Sequence, residues 1–340
     1  MSAMPVAILK TGLVTSVGLS APATCAALRA KLTNPSETRF IDSSGEWIMA
    51  HQVTLEQPWR GLTKLARMAV MVIEEALQDI PKNEWGQLPL LLCVAEKERP
   101  GRMEGLDDQL FLRIQSELGT NFAPESAIIT HGRVSVAVAM AQARILMVKN
   151  KTSRVLIAAT DSLLSWPTLS HYEREDRLLT EKNSNGFMPG EGAGALLVGS
   201  PSGKDRELVL TGIAFARESA HVLSEDPLRA DGLSQALKLA LADAGVQQKY
   251  IDFRIADLAG EQYYFKEASL ALSRTRPFIG EVPALWHPAE STGEIGAASG
   301  CCCMALATSA AQKAYSPGPR ALFHFANDAG QRAALIASLG

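Results

Sequence analysis

Cysteine is scarce in this sequence of 340 residues, and its arrangement excludes two common kinds of site. The five cysteines are odd in number and contain no Cys-x-x-Cys pair, so neither a disulfide framework nor a zinc site is indicated. Three of them are consecutive, at positions 301–303, and are interpreted as small buried residues. Reduced thiols are typical of the cytoplasm, which is the location we predict.

An excess of positive charge and a long apolar run are also lacking. The 33 basic and 36 acidic residues leave a net charge of −3, so no basic excess is available to bind a nucleic-acid backbone. The most apolar long segment, 134–148, contains Gln142 and Arg144 and is too short to cross a bilayer. Residues 1–9 carry no basic segment of the kind that begins a signal peptide. We expect neither a nucleic-acid partner nor a membrane span.

The glycine-rich loops of nucleotide-binding proteins are missing as well. No Gly-x-x-x-x-Gly-Lys-Ser/Thr motif occurs, and GEGAG at 190–194 leads into a strand pattern where a dinucleotide loop requires a helix. GEIGAASG at 293–300 does open a helix pattern. Both segments are interpreted as places where two backbones pass close together. No cofactor and no metal ion is predicted.

What is present is a globular composition, with 47% hydrophobic and 20% charged residues. Apolar stretches alternate with amphipathic ones, which predicts an α/β fold. Strands are predicted at 6–9, 88–94, 155–160, 192–198, 208–214, 253–258, 320–325 and 332–337, and helices at 21–32, 64–77, 106–118, 135–148, 234–244 and 300–314.

The remaining segments suggest how the chain is divided. Residues 201–207 (PSGKDRE) have the composition of a linker, and the strand and helix pattern starts again after them. We therefore predict two halves, 1–200 and 208–340. Residues 166–191 are polar and predict turns, and the charged loop 96–102 is interpreted as solvated.

Three separated segments carry a more specific pattern: ILKTGLVTSVG at 8–18, RLLTEKNSNGFMPGEGAGALLV at 177–198 and STGEIGAASG at 291–300. In this order they resemble motifs of the β-ketoacyl synthases of the thiolase superfamily. The second is similar to the family's Asp-x-x-Arg, Gly-Phe and Gly-Glu-Gly-Ala run before a strand. The third is similar to its Lys-Ser-x-x-Gly-His-x-x-Gly-Ala-Ala-Gly. The resemblance extends over nearly the whole chain.

The resemblance implies a thiolase-like five-layered αβαβα fold made of two duplicated halves, and a homodimer. Such synthases act in fatty acid or polyketide biosynthesis, where they join an acyl group to a malonyl unit carried on acyl carrier protein or coenzyme A. They use a cysteine nucleophile and two histidines, or one histidine and an asparagine. The nucleophile lies at a helix start, where the helix dipole favours the thiolate.

These reactive residues are missing at the matching positions. THGRVS at 130–135 puts Gly132 at the nucleophile, DLAGE at 257–261 puts Ala259 at the first histidine, and Glu294 replaces the second. Losing one oxyanion donor costs about 10²–10³ in rate. A carboxylate at position 294 would also repel the negative charge that the reaction develops. We therefore predict a pseudoenzyme without condensing activity.

Nearby side chains leave other chemistry open. His131 and Ser135 are four residues apart and share a helix face, and Glu294 with His287 would make an acid–base pair. The alternative interpretation is a histidine at a helix start, a capping serine and two solvated loop residues. FHFAND at 323–328 matches the family's closing glycine-rich segment only loosely.

The leading hypothesis is a protein that acts by binding, as a scaffold, a partner of a synthase subunit, or a holder of acyl carrier protein or an acyl ligand. The alternative is an acyltransferase or thioester hydrolase of altered chemistry that uses Glu294 with His131 or His287. A further alternative is an adaptor, because some short synthase-like proteins accompany bacterial secretion machinery. An open tunnel for a pantetheine arm favours activity, whereas a tunnel filled by Arg133 or Tyr263 favours binding.

Overall fold

The computed structural model describes residues 4–150, 152–203, 205–247, 250–275 and 282–339. The strands are β1 (Val6–Val14), β2 (Ser36–Ile41), β3 (Trp47–Ala50), β4 (Leu90–Cys93), β5 (Ala127–Ile129), β6 (Arg154–Ser162), β7 (Glu191–Gly199), β8 (Leu208–Arg217), β9 (Phe253–Ala256), β10 (Ala284–Trp286), β11 (Arg320–Ala326) and β12 (Gln331–Leu339). The α-helices are α1 (Ala21–Arg29), α2 (Gly61–Ala76), α3 (Gln109–Leu118), α4 (Ser135–Lys149), α5 (Trp166–Arg174), α6 (Asp231–Ala244), α7 (Gln262–Thr275), α8 (Ala289–Thr292) and α9 (Ser299–Gln312).

Some helices begin or end at other residues than predicted, and local backbone geometry explains the difference. The helix predicted at 106–118 begins only at Gln109, because the carboxylate of Asp108 caps it. It ends as predicted, before Gly119 in the left-handed conformation. The helix predicted at 21–32 stops at Arg29, and Lys31 then takes a positive φ of 54°.

Seven elements arise where the sequence predicted none: α5, α7, α8, β2, β3, β5 and β10. The segment 166–191, predicted as turns, begins with α5, so that prediction was wrong for its first part. The Ser165 side chain caps α5 by accepting from the Thr168 amide, and Pro167 lies in the first turn. Strands β2 and β3 form a separate hairpin whose residues are mostly exposed, so they carry little apolar alternation to reveal them.

The main sheet repeats one strand order twice. The first five of its strands in the chain are ordered β5-β4-β6-β7-β1, and the last five are ordered β10-β9-β11-β12-β8. Pair by pair, the directions agree: the first two pairs of each set are parallel and the next two are antiparallel. A short antiparallel pairing of β1 with β8 joins the two sets. The repeat is that of a duplicated fold, while the limits 1–200 and 208–340 stay a prediction.

The three largest apolar clusters of the core define the layers. Helices α2 and α3 cover the outer face of the first strand set, and α6 and α7 cover the outer face of the second. Between the sets lies a central layer that contains α1, α4 and α9. The predicted five-layered αβαβα fold is thereby confirmed. Among the helices in the described residues, none has the length and apolar character that crossing a membrane requires.

The starts of α4 and α9 lie against each other in the central layer. Each helix is preceded by a 3-10 turn, Gly132–Val134 and Gly296–Ala298, and these two turns are in contact. A Cβ added at Gly300 would lie 2.6 Å from the Cβ of Val136, so the helices cross too closely for a larger residue there. This arrangement places the residues around positions 132 and 294 in one site.

Candidate functional site

Around Gly132, the residue predicted to match the nucleophile, a neighbouring side chain takes the space for a side chain. Gly132 has a φ of +55°, in the left-handed region that glycine adopts readily. A Cβ added to it would lie 2.0 Å from Oε2 of Glu96, well inside van der Waals contact. The carboxylate of Glu96 therefore occupies the space that a cysteine side chain would need.

Arg99 binds two carboxylates at the starts of the two central helices. Its Nη2 lies 2.7 Å from Oε2 of Glu96, and its Nη1 lies 2.7 Å from Oδ2 of Asp161. The Asp161 carboxylate also accepts from the Ala297 amide at 2.8 Å, in the turn that opens α9. Glu96 and Arg99 are buried, so the prediction of a solvated loop at 96–102 was wrong for both. Pairing in the interior offsets part of the cost of burying these charges.

Glu294 is held inside the site by three donors. Its Oε1 accepts from the Gly296 amide at 2.8 Å and from the Ser299 hydroxyl at 3.4 Å, and its Oε2 lies 3.3 Å from Nη1 of Arg133. Burial raises the pKa of Glu294 to about 7, against the opposing effect of the nearby Arg133 charge. An acid with this pKa exchanges protons near neutral pH, but its oxygens already have partners.

Arg133 fills the centre of the site. Besides Glu294, its guanidinium pairs with Oδ1 of Asp328 at 2.9 Å. Its plane lies over the ring of Tyr264, 4.5 Å from the centroid. Arg133 and Tyr263 are the residues predicted from the sequence to fill a tunnel. The structure assigns that packing to Arg133 and Tyr264, because the Tyr263 hydroxyl donates elsewhere, to the Ala220 carbonyl.

Arg177, the first residue of the segment 177–198, completes a network of buried charges. It pairs with Glu261 through Nε at 2.7 Å and with Asp328 through Nη1 at 2.7 Å. Burial alone would raise the pKa of Asp328, but the charges of Arg177 and Arg133 hold it below its ordinary value. The space left among these side chains is about 20 Å³, which holds about one water molecule. We call this set the ionic cluster; it consists of Glu96, Arg99, Arg133, Asp161, Arg177, Asp257, Glu261, Glu294 and Asp328.

The structure gives the proposed catalytic pairs other partners. The hydroxyl of Ser135 accepts from the backbone amide of His131 at 2.9 Å, while the His131 ring lies 3.1 Å from Oε1 of Gln331. The proposed Ser–His pair is therefore not formed, because the hydroxyl binds the backbone of the preceding segment, where it also donates to the Ile129 carbonyl at 3.2 Å. His287 packs edge-on against Phe265, with centroids 5.6 Å apart, and Glu294 is bound by the donors described above.

The remaining predicted positions supply no reactive group. Ala259 packs against a small apolar cluster around Phe187 and Tyr172. Within the described ranges, no group of three or more His, Cys, Asp or Glu side chains is arranged to hold a metal ion.

The cysteine side chains are shielded from solvent and reactants. All five cysteines are free and buried. Burial raises the pKa of Cys25 to about 11, and it also raises the pKa of each of the others. The Cys303 thiol donates to the Ala256 carbonyl at 3.7 Å. A buried thiol in apolar surroundings is a poor nucleophile, which agrees with the prediction of small packing residues at 301–303.

Sequence reasoning missed most of the ionic cluster. Arg177 lies in a recognised motif, so its presence in the site had a signal in the sequence. Asp328 lies in the loosely matched segment 323–328, and Arg99 lies in a loop of ordinary charged residues. No pattern in the sequence distinguishes these two from solvated residues, because only the fold shows that Arg99 is buried and Asp328 half-buried.

No family model and no curated protein sequence matches the chain. Several solved structures, however, match the chain along its length. A chain of the ishigamide ketosynthase/chain length factor has a TM-score of 0.78 and 19% identity, over 99% of this chain and 100% of that one. Another similar chain comes from a type II polyketide synthase structure, an acyl-carrier protein in complex with its ketosynthase bound to the hexaketide. It has a TM-score of 0.79 and 16% identity, over 99% of this chain and 100% of that one.

A third similar structure comes from a modular synthase. The ketosynthase from module 6 of the bacillaene synthase of Bacillus subtilis 168 has a TM-score of 0.78 and 13% identity, over 99% of this chain and 72% of that one. The likeness extends along the full length of the described fold, while the sequences share few residues. This chain therefore has the thiolase-like fold of the ketosynthases.

Proposed function

We propose that this protein is a ketosynthase-like pseudoenzyme that does not condense acyl units and acts by binding another protein. The observation that carries the proposal is the filled site. A carboxylate occupies the space of the nucleophile's side chain, and the ionic cluster leaves about 20 Å³. Neither a covalently held acyl group nor a pantetheine arm fits into that volume. Binding of an acyl ligand in this site is therefore the least supported of the binding roles.

A second candidate function has one observation in its favour. The pKa of Glu294 is about 7, which suits a general acid or base in an acyltransferase or hydrolase. Such a group must reach a substrate atom, and the two oxygens of Glu294 already bind Gly296, Ser299 and Arg133. The closed site thus disfavours this candidate relative to binding.

The surface of the first half around β5 and α4 supports the proposal that a protein partner binds there. Strand β5 lies at one end of the sheet and so presents an unpaired edge. Helix α4 packs beside it and exposes Ile145 and Val148, at 51% and 58% of their surface. An apolar helix face next to a sheet edge suits a second subunit of the same fold, which supports the predicted homodimer or a pair with a synthase subunit.

The structural neighbours suggest which partners to test. One neighbour is a ketosynthase/chain length factor, and another is a ketosynthase in complex with an acyl-carrier protein. We propose a partner synthase subunit first and an acyl carrier protein second. The five free cysteines support a reducing location, the cytoplasm.

The decisive experiment is a condensation assay with acyl and malonyl thioesters, on acyl carrier protein and on coenzyme A. We expect no product above the uncatalysed background, because the site contains no nucleophile and two donors of the family are absent. The matched control is Arg113→Gln, on the exposed side of α3, which should behave like the unaltered protein. Turnover above background that Arg133→Ala or Glu294→Gln changes, but Arg113→Gln does not, would refute the proposal.

The binding role is tested by pull-down from the native host and mass spectrometry. Recovery of a synthase subunit or an acyl carrier protein, followed by reconstitution from purified components, supports the proposed partners. Recovery of secretion components that reconstitute instead would favour an adaptor and contradict a role in lipid or polyketide synthesis.

A further inference from the structure

A second cavity, of about 550 Å³, lies outside the ionic cluster. It is formed by the β2–β3 hairpin, the start of α2, the start of α5 and the ends of β6 and β7 that face them. Cavities of roughly 300–1,000 Å³ accommodate most small organic ligands. This space is therefore large enough for a ligand.

The cavity gathers positive charge in a chain whose net charge is −3. Arg39, Arg60 and Lys64 line it, and Glu191 is the only acid in its lining, all of which belongs to the described residues. Lys64 pairs directly with Glu191, whose carboxylate also accepts from the Val53 amide at 3.0 Å. The charges of Arg39 and Arg60 are thus not matched by an acid in the lining, and they favour an anionic ligand.

The start of helix α2 adds to the preference of the cavity for an anionic ligand. Helix α2 begins directly after Arg60 and has no side-chain cap. Its first-turn amides therefore contribute partial positive charge at the same wall of the cavity. Arginine side chains beside such amides are well suited to phosphate, which accepts several charge-assisted hydrogen bonds at once.

Aromatic rings form the other part of the lining. Phe40 and Trp166 stack with centroids 6.1 Å apart and planes 29° apart, and Trp59 lines the wall beside Arg60. The Arg39 guanidinium lies over the Phe40 ring at 4.9 Å. Trp166 is a large aromatic side chain that is 49% exposed. An open aromatic surface next to cations favours a planar ring on the ligand.

We propose that this cavity binds a small organic phosphate that carries a planar aromatic ring, of the nucleotide class. The phosphate lies between Arg39, Arg60 and the start of α2, and the ring lies on the surface of Phe40, Trp59 and Trp166. The inference stands on this cavity alone, so it holds whether or not the protein condenses acyl units.

The test is titration of the full chain with AMP, UMP and FMN. Binding is measured by calorimetry and by tryptophan fluorescence. Adenosine and inorganic phosphate serve as the two half-ligands. We expect at least one of the three phosphates to bind in the micromolar range, and the half-ligands to bind at least about tenfold more weakly. Failure of all three to bind would overturn the proposal.

Variants locate the binding. The double variant Arg39→Gln with Arg60→Gln should weaken binding at least about tenfold, since two charge-assisted bonds are lost. Trp166→Ala should weaken binding of the ring-bearing phosphate while leaving binding of inorganic phosphate unchanged. Arg113→Gln, an exposed arginine on α3, is the matched control and should bind like the unaltered protein. Binding that is equal in all variants would overturn the proposal. The proposal would also be overturned if an acidic carrier protein bound through Arg39 and Arg60 while the small phosphates did not bind.

Discussion

At the scale of single residues, two glycines explain why the site is closed. Gly132 and Gly296 open the turns before α4 and α9 with φ values of +55° and +57°. An added Cβ would meet a carboxylate oxygen at 2.0 Å in both places, Glu96 in one and Asp161 in the other. Arg99 binds both acids. Helix starts stabilise anions, and here resident carboxylates already occupy that favourable position.

Gly132→Cys tests this explanation, and Gly119→Cys is its control. Gly119 has a similar φ of +63° but nothing within 4 Å of an added Cβ, so it reports the backbone cost alone, about 1–2 kcal/mol. Gly132→Cys should lower the free energy of unfolding by at least about 2 kcal/mol more, because it displaces Glu96 from Arg99. Urea unfolding measures both. Equal losses would show that the space is not filled, and condensing activity in Gly132→Cys would show that it is open to substrate.

The raised pKa of Glu294 makes a pH prediction. Since burial raises the pKa of this acid from 4.5 to about 7, the folded protein binds its proton more tightly than the unfolded chain does. Its contribution to stability is therefore present below about pH 4.5 and is lost as the pH rises toward 7.

Glu294→Gln removes this titration. The free energy of unfolding of the unaltered protein, relative to the variant, should fall between about pH 5 and pH 8, by roughly 1.4 kcal/mol for each pKa unit. Urea unfolding at both pH values measures the difference. His51 and His324, whose pKa values burial lowers, act in the opposite direction, but they are present in both proteins and cancel. Parallel stability curves would contradict the prediction.

At the scale of elements, α4 has a composition that its position does not explain. The helix, SVAVAMAQARILMVK, is apolar nearly all round, although only part of it faces the central layer. Ile145 and Val148 lie on its open side, near the edge strand β5. A surface of this kind is stable in water when a partner covers it.

Ile145→Glu together with Val148→Glu should convert a dimer into a monomer, because two charges would be buried without partners at the interface. Leu112→Glu is the matched control, since Leu112 is a 62% exposed apolar residue on α3. Light scattering after gel filtration measures the mass of each. A double variant that stays dimeric, or an unaltered protein that is monomeric at all concentrations, would contradict the proposed interface.

At the scale of the whole molecule, the ionic cluster joins the two halves. Glu96, Arg133 and Arg177 come from the first half, and Glu294 and Asp328 come from the second. The pairs Arg133–Glu294, Arg133–Asp328 and Arg177–Asp328 cross between them. The central layer of helices likewise packs against strands of both halves. The closure of the site is therefore a property of the assembled fold, and each half contributes charges that need the other.

Residue patterns along the chain were enough to predict the α/β alternation, most of the helices and strands and the motif at 177–198, and they carry the prediction that Gly132 stands at the nucleophile's position. These depend on local periodicity and on residue identity, which the chain carries at every position. The three-dimensional fold was needed to show that Arg99 and Arg133 are buried beside the half-buried Asp328, and that the β2–β3 hairpin covers a cationic cavity. Charged residues far apart in the chain look solvated one by one, and only folding removes their water and brings them within bonding distance.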